Sequence, residues 1–240
     1  MLCQLNILHR YKSLNFDLRK KKISFLIFHY TETNDLAKAI KLLTSKKRRV
    51  SCHYVVDTNG TIYNLVDEKK RAWHAGESMW KKSKDINSRS IGIEIVYPGE
   101  VLGKKYKKEQ IESIIKLSLF LKKKYKIRNQ NILGHSDIAP NRKIDPGIYF
   151  PWEALSKSSL GLWVEDRLDN SELNKESLKL FLKNLQKLGY PYLKLNNTPD
   201  FNKFVIESFH RHHLPSMVKS KPNRTSLNKT IDLLKKSIDY

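Results

Sequence analysis

The feature that most constrains this chain is a change of hydrophobic period inside its first fifty residues. Residues 24–30 form a short β-rich run suited to a buried strand. Residues 33–45 then place Leu36, Ala39, Ile40 and Leu43 at helical spacing. The alternation continues. Residues 53–56 and 61–66 read as strands joined through Asp57-Thr58-Asn59-Gly60, whose Asn-Gly pair is a strong hairpin signal. Residues 73–84 show no clear period and read as loop. Residues 91–96 read as a strand, with Ile91, Ile93 and Ile95 on one face and Gly92, Glu94 and Val96 on the other. Residues 109–126 read as a long helix with Ile111, Ile114, Ile115 and Leu119 inward, and 131–133 as a short strand entering Gly134-His135. Pro140, Pro146 and Pro151 make 136–151 an ordered loop. Strands alternating with helices predict an α/β fold, a mixed central β-sheet flanked by helices.

After Trp152 the character changes. Residues 156–159 and 165–170 read as linker. Three helical pieces follow. Residues 176–188 carry Leu178, Phe181, Leu182, Leu185 and Leu188 on one stripe, ended by Gly189. A second piece starts at Thr198-Pro199, a cap residue before proline, and presents Phe201, Phe204, Val205 and Phe209. A third begins near Thr225 and presents Leu227, Ile231 and Leu234. The expected organisation is a domain over 1–155 with its core from about residue 22, a linker over 156–172 and a small all-α three-helix unit over 173–240.

Charge and cysteine count remove several classes. The 240 residues carry 46 Lys+Arg against 24 Asp+Glu, a net +22. Before residue 151 the balance is 31 against 14, and after it 15 against 10. Lysine supplies 35 of the positive charges and arginine 11. Readers of bases and phosphates lean on arginine's planar fork, so no nucleic-acid partner is expected. The excess reads either as a solvated lysine surface or as attraction to an anionic polymer. Two cysteines, Cys3 and Cys52, can form at most one bridge and cannot complete a Cys-rich zinc site. No stretch approaches the roughly 20 apolar residues needed to span a bilayer. Residues 1–12 lack a secretory h-region, and only two residues precede Cys3, too few for a lipobox. As written the chain is expected in the cytoplasm, with action at the wall following only from a processed or longer N-terminus.

The chemistry-bearing candidates are few. There is no His-Glu-x-x-His helix. His29 ends an apolar strand, His135 follows another, and Asp145 lies ten residues later on a proline-rich loop. Such a set could hold a metal with an open position for water, although a strand-end histidine taken singly is more often structural. Glu94 is a carboxylate on a largely apolar strand, where burial is costly unless the group is paired or functional. Lys143 stands two residues before Asp145 and on an extended stretch faces the same way; taken alone it is one surface lysine among many.

These residues sit in five blocks. They are Phe28-His29-Tyr30-Thr31, Ser51-Cys52-His53-Tyr54, Ala72-Trp73-His74-Ala75-Gly76, 87–96 with Asn87-Ser88-Arg89-Ser90 leading into Ile91-Gly92-Ile93-Glu94, and Gly134-His135-Ser136-Asp137-Ile138-Ala139-Pro140 followed by Lys143-Ile144-Asp145-Pro146-Gly147. In order and spacing they resemble the zinc-dependent N-acetylmuramoyl-L-alanine amidases of type 2, related to peptidoglycan-recognition proteins. The likeness is to the branch that also accepts 1,6-anhydro-muropeptides. It implies one catalytic Zn2+ held by His29, His135 and Asp145, Glu94 as general base and acid, and Lys143 as stabiliser of the oxyanion. It also implies His74, Trp73, Asn87 and Arg89 on the substrate side, with His53 supporting the core. Leu188-Gly189-Tyr190 and Phe209-His210-Arg211-His212-His213-Leu214-Pro215 resemble the three-helix peptidoglycan-binding domain often attached to such enzymes, with the three histidines packing or solvated rather than ligating. The implied partner is peptidoglycan or a muropeptide, acted on by a monomer. The alternative is a peptidoglycan-binding protein without catalysis.

Overall fold

The computed structural model describes residues 5–103, 105–195 and 199–238. Its strands are β1 (Ile7–Leu8), β2 (Phe16–Leu18), β3 (Phe25–Tyr30), β4 (Tyr54–Val56), β5 (Ile62–Asn64), β6 (Lys70–Ala72), β7 (Met79–Trp80), β8 (Ser83–Lys84), β9 (Ser90–Ile95) and β10 (Ile132–Gly134). Its α-helices are α1 (Leu36–Thr44), α2 (Lys108–Tyr125), α3 (His135–Ile138), α4 (Trp152–Lys157), α5 (Lys175–Leu188), α6 (Lys203–His213) and α7 (Arg224–Ile238).

Six strands form one mixed sheet in the order β1-β5-β4-β9-β3-β10. Every pairing in it is parallel except the β4–β5 hairpin. Gly60 ends that hairpin's turn at φ +83°, and a Cβ there would lie 2.6 Å from the Glu109 carbonyl oxygen. Only glycine combines that backbone with that close approach.

The period-2 pattern assigns the faces. Leu26, Phe28, Ile91, Ile93 and Ile95 bury one face against Ile114, Leu117 and Leu121 of α2 and against Trp152 of α4. The opposite face is covered in two parts. Ala39, Ile40 and Leu43 of α1 pack on Val55 and Val96. Phe25, Ile27 and Leu133 pack with Phe181, Leu185, Phe209 and Leu233 of the C-terminal helices. His29 and Glu94 share this second face.

The helices of the 173–240 unit therefore share an apolar cluster with the sheet. The segment before them is pinned as well. Leu160 is buried with the α2-side core, Trp163 packs against that core, and Leu162 and Val164 pack against the helical cluster. Among the described residues no helix is long and apolar enough to cross a membrane.

Several local readings need correction. Leu119 is 41% exposed, because the inward stripe of α2 runs through Ile114, Leu117 and Leu121 instead. Phe201 and Phe204 are 64% and 57% exposed, since Val205, Ile206 and Phe209 define the buried side of α6. Ser156 and Lys157 belong to the last turn of α4 rather than to a linker. Residues 73–84 contain the small β7–β8 hairpin, and the 136–151 loop is helical at its start, in α3. Ile7–Leu8, before the expected core, adds an edge strand. Thr198 and Cys3 lie outside the described residues; Cys52 is buried with a free thiol.

Candidate metal centre and active-site cleft

β3 and β9 are parallel neighbours whose register sets His29 opposite Glu94. In-register residues on adjacent strands project to the same face, here the one turned away from α2. β10 flanks β3 and ends at Gly134, so His135 emerges beside His29. The Ser136 N–H donates to the Asp145 carbonyl at 2.9 Å, which folds the proline-rich loop back onto the His135 turn. Three segments far apart in the chain thus meet.

The candidate ligand atoms converge. His29 Nδ1 lies 3.0 Å from His135 Nδ1 and 3.0 Å from Asp145 Oδ2, and His135 Nδ1 lies 3.1 Å from the same oxygen. All three residues are buried, and together they form a group able to hold a metal ion.

Hydrogen bonds behind the rings settle the tautomers. The Ser90 hydroxyl donates to the Ile86 carbonyl at 2.7 Å. Ser90 Oγ therefore accepts from His74 Nε2–H at 3.0 Å. His74 Nδ1 must then accept from His29 Nε2–H at 2.9 Å, which leaves the His29 Nδ1 lone pair facing inward. On the other side His135 Nε2–H donates to the Ala75 carbonyl at 3.1 Å, and its Nδ1 lone pair also faces inward. Two lone pairs and a carboxylate oxygen at this separation repel one another unless a cation lies between them. Outer partners that fix ligand tautomers in this way are usual at metal centres.

Electrostatics agree. Burial, with His135 adjacent, lowers the His29 imidazole to about 4, so it stays neutral at pH 7. Burial, reinforced by the Asp145 charge and opposed by Lys143, pushes Glu94 well above the ordinary glutamate value. Glu94 Oε2 is buried without a hydrogen-bond partner. An unpaired carboxylate oxygen beside a metal-binding group is placed to handle protons.

A cleft of about 430 Å³ opens over these groups, and its walls include His29, His135, Asp145, Glu94, Lys143, His74 and Trp73. His74 is 8% exposed and held between His29 and Ser90. Its ring lies flat against Gly92, where a Cβ would come within 2.4 Å of His74 Cγ, so this strand position requires glycine. Asn87 is buried outside the cleft wall, where its Oδ1 accepts from the backbone N–H groups of His74 and Ala75 at 3.0 and 2.7 Å. Arg89 also stands outside the cleft wall. His53 Nδ1 accepts from Gly92 N–H at 3.0 Å, and burial next to Arg19 lowers its imidazole to about 3. The pattern of motifs missed Arg48 and Glu32, which also line the cleft. The basic tetrad at 46–49 was the available signal for Arg48, and it reads equally as a solvated loop.

Residues 19–148 match the Amidase_2 family, described as N-acetylmuramoyl-L-alanine amidase. The chain is 34% identical over 218 residues to the N-acetylmuramoyl-L-alanine amidase AmiD of Escherichia coli K12, across 82% of this chain and 76% of that protein. It is 42% identical over 106 residues to the 1,6-anhydro-N-acetylmuramyl-L-alanine amidase AmpD of Haemophilus influenzae, across 44% of this chain and 56% of that protein. Among solved structures, E. coli AmiD in complex with anhydro-N-acetylmuramic acid-L-Ala-D-gamma-Glu-L-Lys superposes with a TM-score of 0.80 at 32% identity, covering 90% of each chain. AmpDh3 of Pseudomonas aeruginosa gives 0.77 at 27% identity, covering 90% of this chain and 92% of its own. Such coverage takes in the helical unit as well as the sheet. The mixed α/β architecture, the family matched over more than half the chain and the relative aligned over most of it establish that the chain belongs to the Amidase_2 family of N-acetylmuramoyl-L-alanine amidases.

Proposed function

We propose that this chain hydrolyses the amide between the lactyl group of N-acetylmuramic acid and L-alanine, in peptidoglycan or its fragments, 1,6-anhydro-muropeptides included. His29, His135 and Asp145 would hold one zinc ion. The observation that carries this reading is the convergence of two Nδ1 lone pairs and a carboxylate oxygen beside the unpaired oxygen of Glu94. Two neutral imidazoles with one carboxylate are a donor set that suits catalytic zinc. The named substrates of AmiD and AmpD supply the substrate class.

When bound, zinc supplies a Lewis acid and lowers the pKa of water toward about 7. Glu94 takes the proton from the attacking water and returns it to the departing alanine nitrogen, a part suited to a carboxyl whose affinity for protons is raised. Lys143 places a cation beside the charge that develops on the carbonyl oxygen, a contribution of about 3–4 kcal/mol for a well-aimed donor. Trp73 offers the substrate a wall, with its Nε1–H donating to Asp17 at 2.7 Å. His74 and Asn87 act through what they hold, His74 on His29 and Asn87 on the His74-Ala75 backbone. The helices over 173–240 form the peptidoglycan-binding-like part.

The role of His74 is testable apart from substrate. His74→Phe keeps a ring in place but removes the acceptor that orients His29. Zinc affinity should fall about 10–100-fold, read by competition with a chromophoric chelator without substrate present. An unchanged affinity would return His74 to direct substrate contact. The activity itself is tested by product analysis on intact sacculi, lipid-linked precursor and purified anhydro-muropeptides. Mass spectrometry should show free stem peptide, abolished by chelator and restored by zinc. Binding of these substrates without any peptide release would instead mark a non-catalytic recognition protein.

A further inference from the structure

We propose that helix α6 is a strut that sets the two loops carrying His135 and Asp145, through its consecutive residues Arg211 and His212. The inference rests on the zinc-site reading above and adds a positioning role for the helical unit. Neither residue touches the cleft.

Arg211 is 7% exposed and grips Glu100 with both arms of its fork, Nε to Oε2 at 3.0 Å and Nη2 to Oε1 at 3.1 Å. Glu100 Oε2 also accepts the Ile148 N–H at 3.1 Å, three residues past Asp145. Glu100 further packs on Gly147, whose φ is +82° and where a Cβ would meet Oε2 at 3.1 Å. α6 thus holds the Asp145 loop at one remove.

His212 reaches the other loop. Its Nδ1–H donates to Asp137 Oδ2 at 2.7 Å, and Asp137 is wholly buried. The same oxygen accepts the Gly134 N–H at 2.8 Å, directly before His135. Asp137 Oδ1 accepts the Tyr190 hydroxyl at 2.9 Å, a second tie to the helical unit. The His212 ring stacks on Trp152 at 3.7 Å, which blocks its rotation.

Bidentate, charge-assisted bonds in low dielectric constrain direction as well as distance. Ligands on loops hold their geometry only when a rigid element supports them. α6 is that element, and neighbouring helix positions point about 100° apart, so two successive residues can serve two loops. Removing His212 would leave the wholly buried Asp137 carboxylate short of a partner, and removing Arg211 would do the same to the half-buried Glu100, so either loop could relax.

The test uses the full chain and reads zinc affinity by competition with a chromophoric chelator, alongside melting of the metal-free protein. Arg211→Met and His212→Phe should each weaken zinc about 10–100-fold while the metal-free protein still melts cooperatively. Arg211→Lys, which keeps the charge and loses the fork, should recover part of the loss and decides the matter if Arg211→Met does not fold. Arg167→Met breaks an ion pair of 2.7 Å to Asp232, away from both loops, and should leave zinc affinity within twofold. The strut is overturned if Arg211→Met and His212→Phe bind zinc as the parent does, or if Arg167→Met weakens it equally. A parent chain that binds no zinc overturns the zinc reading and the strut with it.

Discussion

Glu94→Gln should keep its zinc and lose turnover by about 10²–10⁴-fold, the usual worth of a positioned general acid–base group. The side chain is half-buried on β9, opposite His29, with Oε2 unpaired. Glutamine has nearly the same shape, so the strand and the neighbouring rings need not move. It cannot accept a proton from water or return one to nitrogen. It also removes a negative charge near Asp145, which should leave metal binding intact. Elemental analysis should find zinc at the parent ratio, while the rate of stem-peptide release falls. Parent-like turnover would remove Glu94 from the mechanism, and loss of zinc would make it a ligand.

His29→Ala should abolish both metal binding and activity. In the proposed site His29 is one of three ligands; the residue is 1% exposed and its Nε2 meets His74 Nδ1 at 2.9 Å. Alanine leaves His135 and Asp145 as a two-point site on adjoining loops, well short of the three protein ligands a catalytic zinc requires. A second readout separates metal loss from misfolding. A ligand that binds only the folded state stabilises it by RT ln(1 + [L]/Kd), about 4 kcal/mol at a thousandfold excess over Kd. The parent's melting temperature should therefore rise on adding zinc, and that of His29→Ala should stay flat. Retained stoichiometric zinc in the variant would contradict the assignment.

Much of the fold was legible because it rests on local rules. The isoleucines of β9 mark a buried face by alternation alone, and the Asn59-Gly60 pair placed the β4–β5 hairpin. Errors arose where burial depends on a distant neighbour. Leu119 fits a helical stripe as well as Leu117 does, and only the sheet beneath α2 chooses between them. Phe201 and Phe204 look like core residues by composition, yet the docking of α6 leaves them outside. Of the site candidates, His29 and Glu94 stood out as polar groups on apolar strands. Asn87, which motif resemblance put on the substrate side, has its amide oxygen engaged by the backbone N–H groups of His74 and Ala75, a contact that no local pattern announces.

The net charge of +22 suggested an anionic partner. Under the proposed function, a stem peptide's carboxylates are the anionic groups that such a lysine-rich surface would meet. By itself the sequence determined the strand–helix alternation, the hairpin, the five motif blocks and so the family, because each depends on residues near one another in the chain. The tertiary structure alone decided the rest. Which ring nitrogens face inward, how Ser90 and His74 orient His29, and how Arg211 and His212 tie the helical unit to the His135 and Asp145 loops all require partners brought together from separate elements. No local pattern encodes such contacts, since hydrogen-bond direction is set by the register of strands and the docking of helices.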